Sequence, residues 1–366
     1  MNPTLELDEV DAKIGQLFMA GIPGPSLDEG TKALIRDLHI GGVILFSRNI
    51  EDPYQLANLC RDMQRAAMEY QGQPLLIAVD QEGGRIARLT PPFTQFPGNS
   101  EIGQDAHPDE KAVEFGRVTA MEMKLVGLNM DLAPVVDVKK GEPEKHLRGR
   151  VFGDDPEKVG QLGSSVIRSL QDNGVMAVAK HFPGLGLAEM DPHAELPTID
   201  LDLDGIEKEH LLPFRRAITA GVTGIMTSHA VYPALDPACS ATLSQPILTG
   251  ILRERMGFEG LILSDDLEMG AIAKKWGVPE GASRSFAAGV DVLLVCKEQR
   301  LIAECLREIR AGLLKKEIPV ERLRQSTDRI QKVKARFLKE REDISLDEVV
   351  AYFQLEEIQG SVPPLG

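Results

Sequence analysis

The sequence predicts an α/β fold in which short parallel strands alternate with amphipathic helices. Apolar runs of strand length recur along the chain, and the longer segments between them carry apolar residues at helical spacing. No linker or change in composition interrupts this alternation in the 366 residues, so it indicates one large domain. A closed barrel and an open, doubly wound sheet both alternate strands and helices in this way, and the pattern alone leaves both open.

The strands are predicted from continuous apolar runs, which are typical of parallel strands buried on both faces. Their number comes near eight if residues 16–21 form a first or irregular strand. The predicted strands are residues 16–21, 40–46, 75–79, 128–138, 174–179, 224–227, 260–264 and 290–296.

Helices are predicted between the strands wherever apolar residues recur every three or four positions. They cover residues 53–69, 109–125, 156–171, 205–219, 245–255, 299–313 and 320–339. The chain after the last helix is acidic and ends in SVPPLG. We therefore expect a catalytic domain over residues 1–342 and a tail, residues 343–366, that packs loosely or is disordered.

The amino-acid composition narrows the classes of molecule that the chain could bind and the compartment in which it could act. The chain carries 41 basic and 56 acidic side chains, and the resulting net charge of -15 would repel the phosphates of nucleic acid. No apolar run approaches the roughly 20 residues that cross a bilayer, and the acidic start lacks the pattern of a secretory signal, so we expect a cytoplasmic protein. The four cysteines lack metal-type spacing, and we expect free thiols rather than disulfides: Cys60, Cys239, Cys296 and Cys305.

Four motifs, in order along the chain, resemble those of family 3 glycoside hydrolases, specifically the single-domain bacterial β-N-acetylglucosaminidases that recycle cell-wall sugars. They are AVDQEGGR at residues 78–85 with Arg88 beyond it, RVFG at 150–153, KHFPGLG at 180–186 followed by Asp191 and His193, and SDDLEM at 264–269. Four ordered matches within about residues 14–340 are more specific than any one alone. Two positions depart from the family pattern: Leu185 replaces a histidine and Pro192 replaces a serine.

The resemblance implies a single-domain (β/α)8 TIM-type barrel, and so favours the barrel over the open sheet. It implies retaining hydrolysis of terminal β-linked N-acetylglucosamine from peptidoglycan (muropeptide) fragments, through a covalent glycosyl-aspartate intermediate. The partner would be a small carbohydrate substrate, and we expect a monomer without metal or organic cofactor. The N-acetyl preference comes from the resemblance alone, and another β-glycoside stays open.

Asp265 is the predicted nucleophile. A retaining glycosidase needs a carboxylate that attacks the anomeric carbon, and Asp265 follows the strand predicted over residues 260–264. The family motif also selects this first aspartate of the pair. Side chains alternate along a strand, so we expect Asp266 to point to the other face and to cap the short helix that follows.

The predicted acid/base is His193, with Asp191 as the residue that orients it. Two residues apart in extended backbone, they share a side, and the resembling family uses the same pair. A histidine near its ordinary pKa of about 6.5 can donate and then reclaim a proton, while a neighbouring aspartate fixes its tautomer. Glycines before this pair predict a flap that carries His193 to the substrate.

Sugar binding is implied for the remaining charged residues of the motifs. Lys180 and His181 stand at the carboxyl end of a predicted strand, where barrel enzymes hold their active sites. By resemblance they bind sugar hydroxyl groups, and Asp80, Arg88 and Arg150 complete the pocket.

Some alternatives stay open from the sequence. Asp137 and His229 each follow a predicted strand and could line the site or be satisfied structural residues. A metal-dependent barrel hydrolase is a rival, although no His-x-His or His-Glu-x-x-His motif occurs. Other rivals are a non-catalytic sugar-binding protein, a β-glucosidase and a phosphorylase, in which phosphate would replace water on the intermediate.

Overall fold

The structure is a computed structural model, and it describes residues 7–141, 147–186, 196–339 and 343–355. Eight parallel strands close into a barrel, each paired with its sequence neighbours. We label them β1 (Phe18–Gly21), β2 (Gly42–Leu45), β3 (Leu76–Val79), β4 (Met130–Asp131), β5 (Met176–Phe182), β6 (Gly224–Thr227), β7 (Leu261–Asp266) and β8 (Val292–Val295). The predicted TIM-type barrel is confirmed.

Closure depends on β1, which pairs with both ends of the strand series. Met19 is the register partner of Gly42 in β2 and of Leu294 in β8. An open sheet would leave two edge strands, so this double pairing decides between the two predicted architectures. The residues of β1, β2, β3, β6 and β8 are buried throughout, as expected for strands covered by helices on the outside and by side chains within.

Helices surround the barrel and begin where the sequence supplies caps. Asp28 and Asp52 each accept a backbone N–H of the first helical turn, and Pro53 fills the first position of its helix. The α-helices are Leu7–Gly15, Glu29–Leu38, Pro53–Gln71, Asn99–Gln104, Pro108–Leu125, Pro156–Asp172, Leu203–Gly205, Leu211–Thr219, Gly270–Ala273, Val278–Ala288, Arg300–Leu314, Val320–Leu338 and Leu346–Phe353. Two predicted helices contain π-helical turns, Ile206–His210 and Pro246–Arg255. None of the described helices combines the length and apolar character needed to span a bilayer.

Two hairpins extend from the barrel. One pairs Gln81–Gly83 with Ile86–Ala87 directly after β3, and the other pairs Val231–Tyr232 with Asp236–Ser240 after β6. Both follow the carboxyl ends of barrel strands, so they build up the same side of the molecule.

The expected loose tail differs in part from the structure. Leu346–Phe353 is a helix capped by Ser345, its Val349 is fully buried, and the rings of Phe353 and Phe93 lie 4.7 Å apart. Apolar residues at helical spacing bury one face of this helix, a periodicity that the acidic composition of the tail obscured. Residues 356–366 lie outside the described chain, and the division at residue 342 stays a prediction.

Candidate active site

The carboxyl ends of the barrel strands surround a cavity of about 180 Å³. Its ionisable lining comes from strand ends or the loops after them: Asp80, Glu82, Arg88, Arg150, Lys180, His181, Asp265 and Asp266. Its apolar lining includes Phe46, Leu185, Met226 and Met269. The cavity thus brings together every predicted site residue that the structure describes. Asp191, His193 and the flap before them lie outside the described residues.

A chain of ion pairs forms one wall of the cavity. The Lys180 Nζ donates to Asp80 Oδ1 and to Glu82 Oε1, both at 2.7 Å. Arg150 donates through Nε and Nη2 to the two carboxylate oxygens of Glu82, again at 2.7 Å. Such a bidentate pair fixes the plane of the guanidinium.

Glu82 is the residue that sequence reasoning missed. Its side chain is buried between the two cations that the sequence assigned to the sugar. Glu82 stands two residues after Asp80 at a strand end, and residues i and i+2 of an extended chain share a side, so this spacing was the available signal.

Electrostatics keep this wall ionised. Burial alone would raise the pKa of Glu82, but Lys180 and Arg150 outweigh it and hold that pKa well below its usual value. Burial alone would lower the pKa of Lys180, and the carboxylates of Asp80 and Glu82 raise it instead. An ammonium has three N–H bonds, so Lys180 keeps one for a ligand after serving its two carboxylates.

Arg88 flanks Asp80 on the other side. The Arg88 Nη2 lies 3.7 Å from Asp80 Oδ2, and the guanidinium lies 5.9 Å from the centre of the Phe46 ring. The Nε of Arg88 is buried without a hydrogen-bond partner among the described residues. A buried donor of this kind favours an acceptor supplied by a ligand.

Asp137, whose role the sequence left open, orients the ring of His181. Its Oδ2 lies 2.7 Å from His181 Nδ1, and its Oδ1 accepts the backbone N–H of Leu185 at 2.6 Å. Burial would raise the pKa of Asp137, but His181 and these hydrogen bonds lower it, so the carboxylate is ionised. Since a carboxylate only accepts, Nδ1 of His181 is the donor, and Nε2 is the ring nitrogen left for a ligand.

Asp265 stands one residue before the end of β7, is half-buried and borders the cavity. Burial would raise its pKa, but His229, His181, the N–H of Asp266 and Lys180 together lower it. The pKa of the neighbouring Asp266 is raised to about 6, chiefly by burial. The pKa values of these two adjacent carboxyl groups are therefore shifted in opposite directions, and Asp265 is the one kept ionised.

Both Asp265 and Asp266 border the cavity, and the pairing of β7 with β8 shifts register between Leu263 and Asp266. That their carboxyl groups point to opposite faces stays a prediction. The expected cap is wrong. Asp266 accepts the backbone N–H of Glu268 at 3.0 Å, whereas the N-cap of the following helix, Gly270–Ala273, is Met269.

His229 lies behind the nucleophile rather than in the cavity lining. Its Nε2 lies 3.0 Å from the carbonyl oxygen of Asp266, and its Nδ1 lies 2.7 Å from the hydroxyl oxygen of Thr242. The ring is buried. His229 is thus a hydrogen-bonded interior histidine.

The remaining features of the site concern metals and thiols. Among the described residues, no group of three or more His, Cys, Asp or Glu side chains is arranged to hold a metal ion. None of the four cysteines forms a disulfide bond, and Cys296 borders the cavity with its thiol pKa raised well above the usual value by burial. A protonated thiol is a poor nucleophile and a poor metal ligand.

Known proteins resemble the chain over most of its length. A β-hexosaminidase of Thiobacillus denitrificans is 38% identical over 297 residues, which cover 80% of this chain and 81% of that protein. A β-hexosaminidase of Nitrosomonas eutropha is 37% identical over 298 residues, covering 80% of this chain and 84% of that protein.

Solved structures agree with these relatives. A glycoside hydrolase family 3 β-N-acetylglucosaminidase from Paenibacillus sp. superimposes with a TM-score of 0.88 at 35% identity, covering 96% of this chain and 68% of that chain. Native NagZ from Neisseria gonorrhoeae superimposes with a TM-score of 0.77 at 32% identity, covering 92% of this chain and 93% of that chain.

The model of the glycosyl hydrolase family 3 N-terminal domain matches residues 9–333, nearly the whole barrel. The match includes every described residue that lines the charged wall of the cavity, together with Asp265. The chain therefore belongs to glycosyl hydrolase family 3 and is a glycoside hydrolase.

Proposed function

We propose that this enzyme is a retaining exo-β-N-acetylhexosaminidase that removes terminal β-linked N-acetylglucosamine from peptidoglycan fragments. The observation that carries the proposal is the position of Asp265, an ionised carboxylate on the same small cavity as Lys180 and His181. The names of the relatives, β-hexosaminidase and β-N-acetylglucosaminidase, support the choice of sugar. Location in the cytoplasm and a monomeric state stay predictions from the sequence.

The size of the cavity supports exo action. Its volume of about 180 Å³ is below the roughly 300 Å³ at which sites for drug-sized ligands begin, so it suits one sugar ring rather than several. Ionised and hydrogen-bonding groups on one wall would bind hydroxyl groups, while Leu185, Met226 and Met269 offer apolar contact. A terminal sugar would enter, and the rest of the glycan would stay outside.

In the first step, a carboxylate oxygen of Asp265 would attack the anomeric carbon. The bond from that carbon to the leaving oxygen breaks, and His193 would give its proton to that oxygen. In the second step, His193 would take a proton from water, whose oxygen attacks the same carbon and releases Asp265. Asp191 would hold the ring of His193 in the required tautomer.

The experiment that tests the nucleophile is covalent trapping. A fluorinated N-acetylglucosaminyl substrate with a good leaving group slows the second step, so the glycosyl-enzyme accumulates and peptide mass spectrometry locates the sugar. We expect the label on Asp265, and Asp265→Asn should lose turnover by roughly 10⁴-fold or more, because an amide cannot attack.

Asp266→Asn is the matched control, since it changes the adjacent carboxyl group by the same atoms. This variant should still be labelled at Asp265. Label on Asp266, or turnover by Asp265→Asn close to that of the wild type, would contradict the proposal. A panel of aryl β-glycosides, assayed with and without phosphate, tests the sugar and separates hydrolysis from phosphorolysis.

A further inference from the structure

The hydrogen bonds around His229 determine where protons lie in the interior behind Asp265. The Nε2 of His229 faces the carbonyl oxygen of Asp266 at 3.0 Å. A carbonyl oxygen only accepts, so Nε2 carries a hydrogen.

The second ring nitrogen faces the hydroxyl group of Thr242, which has a single proton to give. Thr242 Oγ1 lies 3.0 Å from the carbonyl oxygen of Ser228 and 2.7 Å from His229 Nδ1. Its proton serves the Ser228 carbonyl, because that group can only accept and is buried. Thr242 must then accept from Nδ1, which therefore also carries a hydrogen. The hydroxyl of Thr227, 2.8 Å away, can donate to Thr242 as well, so the hydrogen bonds among these groups are mutually consistent.

A histidine with hydrogens on both nitrogens is an imidazolium cation. We propose that His229 is a permanent cation at neutral pH and a positioning residue, which keeps Asp265 ionised and fixes the Asp265–Asp266 peptide through the Asp266 carbonyl. This role rests on the proposed function of Asp265 as nucleophile.

The charge distribution around Asp265 agrees with this role. Burial would raise the pKa of Asp265, and His229 is the neighbour that contributes most to lowering it. Among the described residues, the ionisable side chains on the elements next to His229 are Asp265 and Asp266 on β7, Lys180 and His181 on β5, and Tyr232, Asp236 and Cys239 on the hairpin after β6. Of these, Asp265 is the ionised carboxylate on the cavity, and it would gain most from a fixed cation behind it.

The first test measures the protonation state directly. Nitrogen NMR of histidine-labelled protein, with the His229 signals assigned by comparison with His229→Gln, distinguishes an imidazolium from either neutral tautomer. We expect both ring nitrogens of His229 to stay protonated from about pH 6 to about pH 8, the range in which an ordinary histidine loses its proton. A neutral ring in that range overturns the proposal, and this result does not depend on any glycosidase activity.

The second test uses the pH dependence of kcat/KM for an aryl β-N-acetylglucosaminide. His229→Gln removes the cation. The acid limb of the kcat/KM profile should then move to higher pH by roughly one to three units, because an opposite charge nearby lowers a carboxyl pKa by that amount. Thr242→Val, which cannot accept from Nδ1, should move the limb the same way, while Thr242→Ser keeps the hydroxyl and should keep the wild-type limb. Equal limbs in the two Thr242 variants would contradict the proposal, even if His229→Gln fails to fold.

Discussion

At the scale of single residues, the site depends on neighbouring groups with opposite tendencies to ionise. Burial would raise the pKa of Asp265, but His229, His181 and Lys180 lower it, whereas burial raises the pKa of Asp266 to about 6. The sequence could nominate Asp265 from its motif and strand end. It could not reveal this separation, which depends on groups from β5 and from the segment after β6 that only the folded barrel brings together.

The sequence predicted Asp80, Arg150 and Lys180 of the wall, but not Glu82 or the contacts among these residues. The sequence assigned Lys180 and Arg150 to sugar binding, yet in the structure both form ion pairs with Glu82. Local spacing indicates which side chains share a face, whereas the meeting of residues 82, 150 and 180 depends on the hairpin after β3, the segment after β4 and strand β5. Asp137 and His229 stayed open for the same reason, since their partners lie far away in sequence.

The acid/base role of His193 predicts an effect that depends on the leaving group. His193→Ala should lower kcat/KM by about 10²–10⁴-fold for natural glycans, whose leaving oxygen needs a proton, and much less for activated aryl glycosides. Steady-state kinetics over a series of leaving groups measures this slope. The control is His107→Ala, at an exposed position, and its kcat/KM should depend on the leaving group as that of the wild type does. Equal losses for all leaving groups would remove His193 from this role.

At the scale of elements, strand prediction worked where apolar runs are uninterrupted and failed where backbone donors are missing. β6 has the bounds predicted for it, Gly224–Thr227. The run at residues 128–138 yields only Met130–Asp131 as strand, although Val136 and Lys180 still share a backbone hydrogen bond beyond it. Pro134 interrupts this run, and a proline has no N–H for the ladder.

The C-terminal helix supplies a prediction at the same scale. Val349→Ala should lower the free energy of unfolding by about 1–3 kcal/mol, because Val349 is fully buried and its lost methyl groups leave a cavity. Urea unfolding of the full chain measures the change, and Glu348→Ala, at an exposed position of the same helix, is the control. Equal stabilities of the two variants would mean that the tail packs as loosely as its composition suggests.

At the scale of the whole molecule, closure of the barrel places the functional groups at the carboxyl ends of the strands. The opposite end of the barrel then serves stability. The alternation of strands and helices predicted a number of strands near eight, but closure depends on the pairing of β1 with β8, which are far apart in sequence. Sequence patterns carry little information on such long-range pairing, and the family motifs supplied it instead.

Lys334 lies outside the catalytic site and gives a prediction on global stability. Burial lowers its pKa to about 7, and its amine donates to Gln16 Oε1 at 2.8 Å. The unfolded chain binds this proton up to about pH 10.4, so between about pH 7 and pH 10 the unfolded state holds more protons and stability rises with pH. Lys334→Met removes that dependence and should stabilise the protein at pH 7 by a few kcal/mol, on the order of the pKa shift.

Urea unfolding at neutral and alkaline pH measures the gap in stability between Lys334→Met and the wild type. The gap should shrink as the pH rises, because the lysine amine is then neutral in both the folded and the unfolded state. Lys332→Met, at an exposed position of the same helix, should have no such gap. A gap for Lys334→Met that stays constant with pH would mean that packing, and not the cost of burying a charge, sets the effect.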